Sequence, residues 1–418
     1  MIKLKSIKIF FLFVFIFFNN IGLPFGLQYT TLISPFLFFY NFRQYRRIYY
    51  LALAIFLALF AVHYYIGIDS YFDYFKSAAL HFCVLILAIT FHQLLKEKPG
   101  TVFETFDKAV YINFILTILA ILLLGMGINI MWASASSSGA LYSTLRLRLF
   151  TYEPSYYSLM LSPIFFFCYL KFEKNMSFKA TIPLLLLLFS LALSFSFGVI
   201  SLITFTIIFV KLMYRSKNKA LLILGMLMFF ILVGALYIYN PQFIFFTRLE
   251  NVLEGNDVSG NARLFDSWIL ANQIVQHKSS YLFGIGWGQI HVVGHDIIQR
   301  YYNYSDSVEV GYDLPNILCG IFCFTGIVGL VSFLFLQIYF YRKTKTKNST
   351  YRSYIFWFIF IYQFTGSYTS SVLHYALLII AYTPSIDPYL ESVVNKLKFK
   401  TNRSAFNRLR ITSKIAGI

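Results

Sequence analysis

The sequence predicts an all-α, polytopic membrane protein of about twelve transmembrane helices with one large extracytoplasmic loop, and three observations carry that prediction. The 418 residues are 58% hydrophobic and 12% charged, whereas a soluble domain is about half apolar and a quarter charged. Apolar runs long enough to cross ~30 Å of hydrocarbon recur along the whole chain. Lys and Arg gather in alternate connecting segments. A soluble enzyme is excluded by the shortage of polar surface, and disorder by the 49 Phe and 32 Tyr.

The apolar runs fall at 7–23, 28–42, 48–68, 77–95, 109–128, 155–170, 180–195, 198–213, 220–239, 316–341, 353–366 and 367–383. Asn19 and Asn20 interrupt the first, and Gly366, Ser367, Thr369, Ser370 and Ser371 divide the last two, so ten spans is the alternative count. The segments on one side carry 28 Lys and Arg against 6 Asp and Glu, and those on the other carry 7 against 11. Such a bias marks the basic side as cytoplasmic in a bacterial inner-membrane protein. The net charge of +18 therefore reports topology and implies no nucleic-acid partner. Lys3, Lys5 and Lys8 at one end, and the Lys and Arg residues beyond 384 at the other, put both termini in the cytoplasm. The start has the basic flank of a signal peptide without a small-residue cleavage site after Phe18, and is read as a retained helix. The expected organisation is nine helices over 1–239 with a smaller loop at 129–154, a large periplasmic loop at 240–315, three helices over 316–383 and a basic tail at 384–418.

Function is expected in the two loops, because irregular backbone survives in a membrane protein only where water or protein satisfies it. Within the spans the ionisable groups away from the ends are His63, His81, His92 and His374. A coupled carrier needs charges near the midplane, so these histidines are read as hydrogen-bonding within the bundle. Cys83, Cys168, Cys319 and Cys323 lie in apolar runs, which indicates neither a disulfide framework nor a zinc site.

The first loop ends in Arg146-Leu147-Arg148-Leu149-Phe150-Thr151-Tyr152-Glu153-Pro154-Ser155. Pro154 and Glu153 suit the start of a helix, but Arg146 and Arg148 stand on the side poor in positive charge and call for an anion. In the second loop the spacing of Leu264, Phe265, Trp268, Ile269, Ile274 and Val275 predicts an amphipathic helix over 261–277. Arg263 in its first turn, with free amides beside it, makes a phosphate seat; an ion pair with Asp257 or a lipid headgroup is the plainer reading. Gly284-Ile285-Gly286-Trp287-Gly288 lacks the βαβ context of a nucleotide site, so its glycines are assigned to tight turns or a close approach of backbone. His291 and His295, four apart, fit a solvated pair or a general base better than a metal site, since the surrounding HExxH pattern is missing.

The layout of spans, the Arg-x-Arg…Glu-Pro-Ser run at 146–155, the late large loop with Arg248, Ser259-Gly260-Asn261-Ala262-Arg263 and Gly284-Ile285-Gly286-Trp287-Gly288, and Asn316 opening a span together resemble the bacterial O-antigen polymerases of the Wzy type. The O-antigen ligases share this outline. In that group a His-Asn pair ends the large loop; here Pro315 precedes Asn316, which brings His291 or His295 into contention as base. The resemblance implies a GT-C-like fold and an undecaprenyl-diphosphate-linked oligosaccharide as substrate in the periplasm. It implies no nucleotide, ATP or other cofactor, and it names membrane lipids, a chain-length regulator and a flippase as partners. It assigns Arg146, Arg148, Arg248 and Arg263 to the leaving diphosphate, Glu153, His291 or His295 to proton removal, and Asn316 to substrate positioning. The alternatives are a ligase passing polymer to lipid A core and, in another class, a lipid-linked oligosaccharide flippase.

Overall fold

A computed structural model describes residues 29–134, 145–214, 258–303, 314–346 and 349–393, with a few single positions between 234 and 254. The expected first span at 7–23, most of the one at 220–239, Arg248 and most of the basic tail lie outside the described residues.

The described residues are helical almost throughout, as hydropathy predicts. Helix α1 (Tyr29–Ile66) leaves helical φ/ψ at Tyr45, inside the 43–47 connection expected between two spans. The rings of Phe38 and Tyr49 lie 5.0 Å apart, although eleven residues of straight helix would separate them by about 16 Å. Asn41 and Gln44 pair with Thr90 and Gln93 of α2 (Tyr71–Glu97), running in the same direction, while Phe56, Phe60 and His63 lie against Tyr74 at the start of α2. The two arms of α1 therefore run in opposite senses along α2.

Helix α3 (Pro99–Gly125) begins about ten residues before the expected span at 109–128. Pro99 suits the first helical turn, and the charges expected in a loop ride on the helix, where Asp107 accepts from Lys171 at 2.7 Å. Strands β1 (Trp132–Ser134) and β2 (Leu145–Leu147) pair antiparallel, Trp132 opposite Leu147, which corrects the all-α expectation for the first loop. Trp132 and Leu147 are both buried, and the Trp132 indole donates to the Ala120 carbonyl, which ties β1 to α3.

Helix α4 (Pro154–Lys174) is buried along almost its whole length between α5 (Phe178–Ser194), α6 (Phe197–Tyr214) and α10 (Thr350–Tyr362). The second loop contributes a helical turn (Val258–Asn261), a π-helical turn (Ala262–Asp266), α7 (Ser267–His277) and α8 (His295–Tyr302), close to the amphipathic helix read from the sequence. Helices α9 (Ile317–Thr344), α10 and α11 (Val372–Tyr382) complete the described fold. The expected spans 353–366 and 367–383 are shortened to α10 and α11, because the polar run Gly366–Ser371 ends the first helix and Ser371 caps the second. By length and composition four described helices are apolar enough to cross a membrane, Thr31–Ile66, Tyr71–Glu97, Pro99–Gly125 and Ile317–Thr344; three further apolar helices are shorter. The described ion pairs Lys171–Asp107, Lys211–Glu173 and Arg352–Asp387 join segments of the basic side with one another, and Arg263–Glu153 and Lys278–Asp69 join segments of the other side.

The glycine run docks on the chain itself. Helix α9 is broken at Gly326 (φ 66, ψ −164). Residues 281–286 fill the break: the amides of Ile327 and Val328 donate to the carbonyls of Tyr281 and Leu282, and those of Ile285 and Gly286 donate to Cys323 and Phe324. Gly284 (φ +74) passes so close that a Cβ there would stand 2.4 Å from the Cys323 carbonyl oxygen. Gly284→Ala is therefore expected to cost on the order of 2–4 kcal/mol from strain and overlap. Gly125→Ala, where a Cβ meets nothing within 4 Å, is the control. Equal thermal midpoints for the two variants in detergent would refute the docking argument.

Candidate active site

At the end of the bundle away from the basic segments, three stretches distant in sequence meet: the start of α4, the π-helical turn and the start of α9 with the adjoining loop 363–371. Pro154 takes the first position of α4, and Glu153 is its N-cap by backbone (φ −144, ψ 146) but makes no side-chain cap. Its carboxylate instead accepts from Arg263 Nη2 at 2.6 Å. The two side chains are 25% and 27% exposed, enough for a ligand to reach them. Burial alone would lower the Arg263 pKa, but the Glu153 carboxylate together with Tyr362 and Tyr156 outweighs it and holds the guanidinium above its ordinary value. Arg263 stays cationic at any relevant pH.

The π-helical turn is the local device that presents Arg263. One extra residue per turn displaces its side chain from the α-helical position, a deviation frequent at functional sites. Asn316 locks the turn from behind. It is fully buried, its amide donates to the carbonyls of Arg263 and Phe364, both at 2.9 Å, and its side-chain oxygen caps α9 by accepting from the amides of Leu318 and Cys319. One asparagine thus joins the Arg263 backbone, the loop after α10 and the start of α9. Asp266, three residues after Arg263, accepts from the hydroxyls of Tyr301 and Tyr302, which ties α8 to the same turn.

A small recess opens beside the ion pair, lined by Glu153, Ser155, Tyr156, Arg263, Tyr362, Ser367 and Tyr368 among others. The rings of Tyr156 and Tyr368 are parallel to within 3°, with centroids 6.1 Å apart. Sequence reasoning placed Tyr362, Ser367 and Tyr368 inside spans and missed them. The signal was the polar interruption at 366–371, which brings the chain back to this end of the bundle.

Of the expected site residues, Glu153, Arg263 and Asn316 come together. Arg146 Nε donates to the Ser194 carbonyl, and Arg148 donates to the carbonyls of Tyr152 and Ile130, so both arginines hold the loop that leads into α4. Neither lines the recess. His291 and His295 lie on Ile290–Val293 and α8, two helical pieces that meet at Gly294. His291 is exposed, His295 pairs with Asp296 at 3.0 Å, and neither lines the recess. Asp257, the sequence-stretch partner expected for Arg263, lies outside the described residues; the described partner is Glu153.

Chemically, the arrangement offers a cation for an anionic leaving group and a carboxylate for a proton within one hydrogen bond of each other. Residues 182–334 match the Wzy_C family model, described as O-antigen ligase. The match runs from within α5 to within α9 and so contains Arg263 and Asn316, while Glu153 precedes it. No curated protein matches the chain. Apolar helices of spanning length and the matched segment agree: through residues 182–334 this chain is similar to the O-antigen ligase family.

Proposed function

We propose that this protein is an O-antigen polymerase of the bacterial inner membrane, joining undecaprenyl-diphosphate-linked oligosaccharide repeat units in the periplasm. The observation that carries the reading is the Arg263–Glu153 pair at 2.6 Å, whose arginine is anchored through its carbonyl by Asn316, both of these residues lying inside the matched family segment. In the reaction an acceptor sugar hydroxyl attacks the anomeric carbon of the donor chain and undecaprenyl diphosphate leaves. Arg263 meets the charge that develops on the departing diphosphate, where a preorganised donor contributes most, and its planar guanidinium suits phosphate oxygens. The diphosphate competes with Glu153 for Arg263. The carboxylate it releases accepts the hydroxyl proton. Arg146, Arg148 and Arg248 are the further cations of the proposed diphosphate site, and His291 and His295 are outlying alternatives to Glu153 as base. A groove between apolar helices accommodates the isoprenoid, and a chain-length regulator and a flippase are the expected partners in the membrane.

The family description favours a second reading, transfer of the finished polymer to lipid A core by a ligase. One experiment separates the two. Purified protein is incubated with extracted undecaprenyl-diphosphate-linked repeats, without nucleotide or added metal, and the products are sized. A ladder of lengthened lipid-linked chains is expected. Product that forms only after lipid A core is added would replace the polymerase by the ligase, and no transfer under either condition would overturn both.

A further inference from the structure

We propose that the recess beside Glu153 and Arg263 seats a single oxygen, the attacking hydroxyl of the acceptor sugar, with Ser155 and Ser367 as positioning residues; this rests on the glycosyl-transfer reading above. The recess measures about 10 Å³, close to the space of one water-sized sphere. A sugar ring does not fit it. One oxygen projecting from a ring docked at the mouth does.

The walls of the cavity are built for such an oxygen. The Oγ atoms of Ser155 and Ser367 are buried and have no hydrogen-bond partner among the described residues, and the two residues are only 6% and 4% exposed. A buried hydroxyl left without a partner is unfavourable, and native structures leave few of them. Two beside one cavity ask for something polar to enter. Ser367 also holds a positive φ of 73°, uncommon for a residue with a Cβ, and such conformations persist where the surroundings impose them, often at functional sites. Ser155 is set independently, as the second residue of α4 immediately after Glu153 and Pro154. The seat is thus assembled from two rigid positions, one on a helix start and one on a constrained loop.

An oxygen in this seat donates its proton to Glu153 and accepts one hydrogen bond from a serine, which leaves its second lone pair for the anomeric carbon. As the new carbon–oxygen bond forms, the bond from the anomeric carbon to the diphosphate oxygen breaks. The electron pair departs with undecaprenyl diphosphate, and the proton passes to Glu153. Ser155 and Ser367 orient the nucleophile and exchange no proton.

The test uses the full-length protein in lipid nanodiscs with undecaprenyl-diphosphate-linked repeats extracted from polymerase-deficient cells. It compares transfer to a second repeat with hydrolysis of the same donor by water. Since the seated oxygen accepts from one serine at a time, the double variant is expected to lower kcat for transfer roughly 10-fold, and Ser155→Ala and Ser367→Ala each by less, about 3-fold. Competition by undecaprenyl diphosphate should be unchanged, so the ratio of transfer to hydrolysis falls. If the cavity holds only a structural water, the variants lose thermal stability, and transfer and hydrolysis keep their ratio. That result overturns the seat, as does an unchanged transfer rate. Should Ser367→Ala fail to fold, Ser155→Ala decides, since alanine is well accepted in a first helical turn. A wild-type protein that releases no undecaprenyl diphosphate overturns the glycosyl-transfer reading itself, whereas active wild type with fully active alanine variants overturns the seat alone.

Discussion

Arg263→Ala is expected to lower the transfer rate by on the order of 10²–10³, the usual effect of removing one preorganised donor from a developing anion. The fold should survive, because the Arg263–Glu153 pair is about a quarter exposed on each side and such pairs add little to stability. Asn316 binds the Arg263 carbonyl rather than its side chain, so the π-helical turn keeps its anchor in the variant. Arg263→Lys should recover only a fraction of the rate, since an ammonium offers a point charge where a planar fork is wanted. Glu153→Gln should cost a comparable factor. Because the two groups act together, the double variant should be little worse than either single one. Initial rates on lipid-linked repeats, normalised to folded protein in the membrane, measure all four. A wild-type rate for Arg263→Ala would remove the diphosphate assignment.

The largest effect on stability is expected far from this recess, at Arg352. This side chain is fully buried at the start of α10 and makes bonds to Asp387 Oδ1 and Oδ2 and to the carbonyls of Ala381 and Thr344. It thereby ties the end of α9 to α10 and to the chain beyond α11. Removing one partner of a buried pair leaves an uncompensated charge, at a cost of about 3–5 kcal/mol. Arg352→Ala should accordingly depress the thermal midpoint in detergent and the yield from membranes. Replacing Arg352 and Asp387 together by apolar residues of similar size should recover most of the loss. The surviving folded fraction of either variant should transfer sugar at the normal rate, as neither residue lines the recess. A single variant as stable as wild type would show that the network contributes nothing.

Helix positions were legible in the sequence because hydropathy dictates them: α2, α4, α5, α6 and α9 fall within a few residues of apolar runs. What failed was local. Hydropathy cannot tell a polar helix start from a loop, so α3 began before its apolar stretch, and the division of 353–383 into two helices was legible while the length of the loop between them was not. The loop 363–371 between α10 and α11 carries Ser367 and Tyr368 to the recess, through long-range contacts such as Asn316 with the Phe364 carbonyl and Tyr368 with Tyr156 that spacing does not reveal. Arg263 and Glu153 were legible one by one, from cations and a carboxylate on the side where positive charge is scarce. Their pairing was not, because 110 residues separate them. The π-helical turn left no signature in the spacing, which reads as ordinary helix from Leu264 to Val275. The glycine alternation announced a close approach of backbone, but not that α9 was the surface approached.

The break at Gly326 makes two segments mutually dependent. In hydrocarbon the amides of Ile327 and Val328 and the carbonyls of Cys323 and Phe324 would have no partner of their own, and residues 281–286 supply one for each. A lesion in the glycine run should therefore be felt in the middle of α9, although some forty residues of chain lie between them.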